Sequence, residues 1–194
     1  MSVITPPASR AEPLDSASAA LAAALARSTV EVRPRGPGGG VAIGSGVIWH
    51  SDGLILTNAH VAHGHVVVVL ADRRALSARL VARDLERDLA ALVVDATDLP
   101  AAEIGDSGAL RVGELVVAVG NPLGLRRALS AGLVHAVGQR LIQADLRLAP
   151  GNSGGPLADA RGRVVGLNAM IVGGLAVAVP SNEARRFVRA QLPR

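Results

Sequence analysis

The stretch Gly151-Asn152-Ser153-Gly154-Gly155-Pro156-Leu157 carries the residue types that a nucleophilic serine needs around it. Such a serine must expose its hydroxyl on a sharply turned backbone, with N–H groups nearby for the oxygen that becomes negative in the transition state. Glycine on both sides permits the necessary dihedrals and lets a substrate approach closely. Gly-rich turns are common, but the full seven-residue string is not. A base for this serine is offered by Thr57-Asn58-Ala59-His60-Val61, which follows the apolar run Leu54–Leu56. His60, His63 and His65 lie close together, so a metal site competes with the catalytic reading. Their spacing does not match the helical His pair with an intervening Glu, and the chain has no Cys to complete a site. No metal and no cofactor are therefore expected. His50, His63, His65 and His135 are read as bystanders.

A serine–histidine pair also needs a buried carboxylate to hold the imidazole tautomer and stabilise its cation. The segment Arg83-Asp84-Leu85-Glu86-Arg87-Asp88-Leu89-Ala90 offers three acids. By composition alone it is a charged turn. Asp88 is the best placed of the three, because it abuts the apolar run Leu89–Val94 and can be drawn inside with it.

The elements that must position these groups read as strands. The chain has 194 residues, 49% of them apolar, yet only one Trp, one Phe and no Tyr. Its 22 Gly and 11 Pro punctuate short Val/Ile/Leu runs, the pattern of an all-β protein of many short strands. In a first half, strands are expected at Ser28–Arg33, Gly46–Trp49, Leu54–Thr57, Val66–Leu70, Ala75–Val81 and Ala90–Val94. Ser51-Asp52-Gly53 reads as a hairpin turn, Asp72-Arg73 as another turn and Arg35–Gly40 as a loop. In a second half, strands are expected near Leu115–Val119, Ala128–Ala136, Leu141–Gln143, Val164–Asn168 and Leu175–Val179. Short helices are expected at Ser16–Arg27 and at Ser181–Gln191, the latter capped by Ser181 or Asn182. The expected divisions are a tail and helix over 1–27, a first unit over 28–100, a linker over 101–111, and a second unit with the terminal helix over 112–194.

Composition also narrows the partners. All 20 basic residues are Arg, the chain carries 16 acids, and the net charge is +4. No basic run exceeds a pair, and the chain is almost without aromatics for stacking on bases, so nucleic acid is not an expected partner. No membrane span is expected. The Ala-rich stretch Ala17–Ala26 follows acids rather than a basic leader, which argues against a secretory signal. With no Cys present, this leans towards a cytoplasmic location.

Five stretches, in order, resemble the HtrA/Deg family of trypsin-like serine proteases. They are Gly44–Ile48 with Asp52–Val61, Asp84–Ala90, Gly120-Asn121-Pro122-Leu123-Gly124, Pro150–Leu157, and Val177–Ser181. The order His, Asp, Ser is that of the chymotrypsin-like fold. The resemblance implies two six-stranded antiparallel β-barrels with His60 and Asp88 on the first and Ser153 on the second. It implies an oxyanion hole from the N–H groups of Gly151 and Ser153, and a substrate-binding surface at Leu148, Met170, Ile171 and Val172. Asn152 replaces the Asp that secreted trypsin-like zymogens place before the nucleophile, so loop ordering is expected to form the hole. The PDZ domain usual in the family does not follow within these residues, the Ala136–Ile142 segment is short, and aromatics that help members trimerise are missing, so a homo-oligomer is not supported. The expected function is a serine endopeptidase acting on extended or unfolded polypeptides. A double barrel that binds peptides without turning them over is the alternative.

Overall fold

The computed structural model describes residues 12–35, 43–120 and 128–192. Two closed barrels of six antiparallel strands make up the fold, as expected. The first contains β1 (Thr29–Arg35), β2 (Gly44–Ile48), β3 (Leu54–Thr57), β4 (His65–Val69), β5 (Ala75–Asp84) and β6 (Leu89–Val94). The second contains β7 (Leu115–Gly120), β8 (Ala128–Val137), β9 (Ile142–Asp145), β10 (Pro156–Asp159), β11 (Val164–Val172) and β12 (Leu175–Pro180). Helix α1 (Glu12–Ser28) precedes the first barrel, and α2 (Ser181–Gln191) follows the second. Among the described residues no helix is long and apolar enough to cross a membrane.

Why so many strands read as unbroken apolar runs follows from three cores. In β7, Val116 and Ala118 point into the second barrel, while Val117 and Val119 point out at the first. In β3 and β6, Ile55, Ala90 and Leu92 fill the first barrel, and Leu54, Leu56, Leu89 and Ala91 face the other way. The outward set meets between the barrels and forms a third core, to which Leu25 and Ala26 of α1 and Phe187 of α2 contribute. Strands buried on both faces have no polar side to alternate with, so their period of two disappears from the sequence. Trp49 and Phe187 both lie in this junction. It fixes one barrel against the other.

Several elements depart from the sequence reading. β5 and β11 each run past their expected ends, and β10 was not expected at all. Its start at Pro156 and the preceding Gly pair look like loop, but Leu157 and Ala158 pair with β7 on one side and β11 on the other. Neither Ser181 nor Asn182 caps α2: Pro180 holds the cap position, the Ser181 hydroxyl donates to the Gly105 carbonyl at 2.9 Å, and Asn182 reaches Asp106 at 2.7 Å. The two turns read from sequence are present, with Gly53 at φ 99° and Arg73 at φ 76°. Arg35, expected to open a loop, instead ends β1, where it pairs with His65 of β4; the rest of that loop, 36–40, and the 121–124 part of the third motif lie outside the described residues.

Candidate active site

His60 sits in the tight turn that ends β3. Two N–H groups, of Val61 and Ala62, return to the Asn58 carbonyl at 3.1 and 3.2 Å, and Asn58 and Ala59 are buried. From the far end of β5, the Arg83 guanidinium donates twice to the Ala59 carbonyl, at 3.1 and 2.9 Å. The turn is therefore held from below while the imidazole projects outward, its side chain half exposed.

Asp88 lies at the start of β6 with φ 53°, a left-handed conformation that short polar side chains tolerate better than most. Asn58 donates from its side chain to the Asp88 carbonyl at 3.0 Å, which ties the two turns together. The carboxylate accepts twice from one residue. The His60 main-chain N–H reaches Oδ1 at 3.0 Å, and the imidazole Nδ1 lies 2.8 Å from Oδ2. A proton on Nδ1 is thus stabilised, which leaves the lone pair of the imidazole on Nε2. The neighbouring acids are engaged elsewhere, Asp84 with Arg87 and Glu86 with Arg140. Arg87 holds the Asp84 carboxyl below the usual carboxylate range, chiefly through its main-chain N–H.

Ser153 sits on a turn between β9 and β10. Gly151 at φ 103° and Gly154 at φ 83° occupy backbone space that favours glycine. The Asn152 N–H donates to Ala149 at 3.0 Å, Gly155 to Asn152 at 3.0 Å and Gly154 to Asn168 at 2.7 Å. Among the described residues, the N–H groups of Gly151 and Ser153 have no acceptor in the protein. The turn is pressed onto the first barrel, where Ser45 donates its N–H to the Ser153 carbonyl at 2.8 Å. A Cβ added at Gly154 would lie 2.2 Å from the Thr57 hydroxyl, three residues before His60 on the chain. The Ser153 hydroxyl donates to the Ala169 carbonyl at 3.0 Å and not to the imidazole.

The expected substrate-binding residues divide. Leu148 and Ile171 line one open depression of about 610 Å³ together with Asp145, Arg147 and Gly174. Its wall is thus mixed, with two charged residues beside the apolar ones. Met170 and Val172 flank Ile171 on the exposed end of β11 but do not line it. Asn152 is buried and packs on Gly120, where an added Cβ would lie 2.5 Å from its side-chain oxygen. His63 and His65 are exposed, and His65 contacts the Ser77 hydroxyl. Among the described residues no three His, Asp or Glu side chains are grouped to hold a metal. The sequence alone gives no role to Asn58, Arg83 or the side chain of Ser45. Their partners are distant in the chain, so no local pattern marks them.

The model of the trypsin-like peptidase domain matches residues 44–167. The chain belongs to the trypsin-like peptidase family. It is 47% identical over 149 residues to a probable periplasmic serine endoprotease, DegP-like, of Hahella chejuensis, covering 72% of this chain and 32% of that one. It is 42% identical over 159 residues to the putative serine protease HhoB of Synechocystis, covering 73% of this chain and 38% of that one. This trypsin-like peptidase chain thus spans about a third of the length of these curated relatives. Its structure is similar to that of the HtrA-type protease AlgW with a tripeptide, with TM-score 0.84, 32% identity, and coverage of 90% of this chain and 63% of that one. The serine endoprotease from Yersinia pestis is similar at TM-score 0.83 and 32% identity, over 89% of this chain and 65% of that one. The resemblance to HtrA/Deg proteases is borne out. The cytoplasmic expectation is overturned, because the DegP-like relatives are named as periplasmic enzymes. A chain without Cys is compatible with either compartment, so composition had no power to decide it.

Proposed function

We propose that this trypsin-like peptidase chain is a serine endopeptidase in which Ser153 is the nucleophile, His60 the general base and Asp88 the carboxylate that orients it. The observation that carries the reading is the contact of 2.8 Å between His60 Nδ1 and the Asp88 carboxylate, on a turn whose strand packs against the Ser153 turn across the barrel junction. His60 Nε2 takes the proton of the Ser153 hydroxyl as Oγ bonds to the peptide carbonyl carbon. The resulting oxyanion lies towards the N–H groups of Gly151 and Ser153. The imidazolium gives its proton to the departing amine as the C–N bond breaks, leaving an acyl ester on Ser153. Water, deprotonated by His60, then hydrolyses the ester and restores the hydroxyl.

The exposed end of β11, Met170–Val172, offers a strand against which an extended peptide pairs, with a small aliphatic side chain lodged against Leu148 and Ile171. Unfolded polypeptides supply extended segments readily, and the names of the DegP-like relatives support a periplasmic setting. The second reading, a peptide-binding double barrel without turnover, is favoured by one observation: the Ser153 hydroxyl rests on Ala169. A χ1 rotation between staggered wells, about 120°, redirects it. Incubating denatured casein with the wild type and with Ser153→Ala, and sequencing the fragments by mass spectrometry, separates the two. Cuts after Val, Ala or Leu by the wild type alone support the endopeptidase and its pocket. Binding without cuts supports the second reading, and cuts mainly after basic or acidic residues refute the aliphatic pocket.

A further inference from the structure

Gly44-Ser45-Gly46 lies on β2, a strand far in sequence from the nucleophile turn. An added Cβ at Gly44 would strike Val61 at 2.4 Å, and one at Gly46 would meet Ile55, Val30 and Val32 at 3.0–3.1 Å. Both glycines therefore face the packed interior of the first barrel. Alternation along the strand sends the Ser45 side chain the other way, to the barrel junction, where it is fully buried. There its hydroxyl donates to the Gly151 carbonyl at 2.6 Å, its N–H to the Ser153 carbonyl at 2.8 Å, and its own carbonyl accepts from the Thr57 hydroxyl at 2.7 Å.

These bonds fall on the two residues proposed to supply the oxyanion hole. The peptide between Ser153 and Gly154 is fixed at both ends by main-chain groups, its carbonyl on Ser45 and its N–H on Asn168. The peptide between Gly151 and Asn152 is fixed by the Asn152 N–H on Ala149 and by the Ser45 hydroxyl. Gly151 is the most permissive residue type, and its φ of 103° lies where no side chain steers it. The Ser45 hydroxyl is the one side chain that restrains its carbonyl among the described residues. Fixing that carbonyl anchors the peptide plane on the C-terminal side of Gly151. Its N–H, in the preceding peptide, can then swing only through the φ and ψ of Gly151 itself and not with a drifting turn.

We propose that Ser45 is a positioning residue that reaches across the barrel junction and holds the Gly151 carbonyl, so that the Gly151 N–H stays aimed at the oxyanion. This rests on the endopeptidase reading above. Removing an oxyanion donor outright costs roughly 10²–10³ in kcat. Ser45→Ala leaves the donor in place but loosens its aim, so kcat falls roughly ten- to a hundredfold while KM stays within about twofold.

The test uses an internally quenched peptide copied from a cut site in denatured casein. A peptide aldehyde of the same sequence serves as a second probe, since it adds the Ser153 O–H across its carbonyl and places the new oxygen in the hole. Ser45→Cys is made alongside Ser45→Ala, because it leaves no void and replaces the hydroxyl by a weak donor. The expected result is a lower kcat with unchanged KM, and an aldehyde affinity that falls in proportion to kcat/KM. A folded Ser45→Ala protein with wild-type kcat overturns the proposal, whatever its Tm, and so does a raised KM with unchanged kcat. Ser45→Cys is expected to fall between Ser45→Ala and the wild type, and a Cys variant slower than Ser45→Ala also overturns it. A wild type that neither cuts nor reacts with a fluorophosphonate, by contrast, refutes the endopeptidase reading itself.

Discussion

Replacing Asp88 by Asn changes one atom and inverts one hydrogen bond. The side-chain oxygen remains on the His60 main-chain N–H, where the carboxylate Oδ1 now accepts at 3.0 Å, because an amide NH2 there would oppose another donor. The NH2 then occupies the position 2.8 Å from Nδ1. It donates, so Nδ1 must accept, and the imidazole proton moves to Nε2, the nitrogen proposed to take the proton of Ser153. The imidazolium also loses its counter-charge. At about 4 Å and an effective dielectric of about 20 that attraction is worth about 4 kcal/mol, before screening. His60 is half exposed, and water reduces that figure. Adding the unfavourable tautomer gives a barrier increase of about 4–5.5 kcal/mol, a fall in kcat of roughly 10³–10⁴. Asn tolerates the left-handed φ of 53°, so the fold and Tm are retained. Initial rates on the quenched peptide, with far-UV circular dichroism as the control for folding, measure the effect. A folded Asp88→Asn protein within about tenfold of wild type refutes the reasoning.

Gly154→Ala places a Cβ 2.1 Å from the Ser45 carbonyl at φ 83°; a loss of about 3 kcal/mol, or roughly 6–12 °C in Tm, is expected. A shift under about 2 °C contradicts the close packing of the nucleophile turn on β2. The Asp106 carboxyl is held below its ordinary value, first by the Asn182 side chain and then by the Gly108 N–H. The stability that a depressed folded value contributes is fully present above the unfolded pKa of about 3.9 and is lost as pH falls through the lower, folded value, so the stability gap between wild type and Asn182→Ala narrows below about pH 4. A gap that is constant with pH, measured by urea unfolding, contradicts this. Peptide cleavage is expected to be unchanged by excess EDTA; loss restored by zinc returns the metal reading of His60, His63 and His65.

Much of this was legible in the residues. Ser153, the proposed nucleophile, stands out because glycine flanks it, and His60, the proposed base, because the turn that carries it follows an apolar strand within a stretch that resembles the family's motif. Asp88, the proposed orienting carboxylate, is marked by its place at the edge of an apolar run, and Asp84 and Glu86 pair with arginines instead of His60. What stayed hidden depends on distant partners. β10 is a strand because β7 and β11 flank it, although Pro156 and two glycines argue locally for a loop. Ser181 looks like a helix cap but is drawn to Gly105, 76 residues away. Ser45 meets Gly151 across 106 residues, and nothing near it in the sequence marks the contact.

The central claim is that His60, oriented by Asp88, activates Ser153. Labelling the wild-type chain with a fluorophosphonate and mapping the adduct by peptide mass spectrometry tests it most directly. The account predicts a single adduct on Ser153, absent from Ser153→Ala and slowed by orders of magnitude in His60→Ala. A folded wild-type chain left unlabelled, or labelled on a different residue, contradicts it.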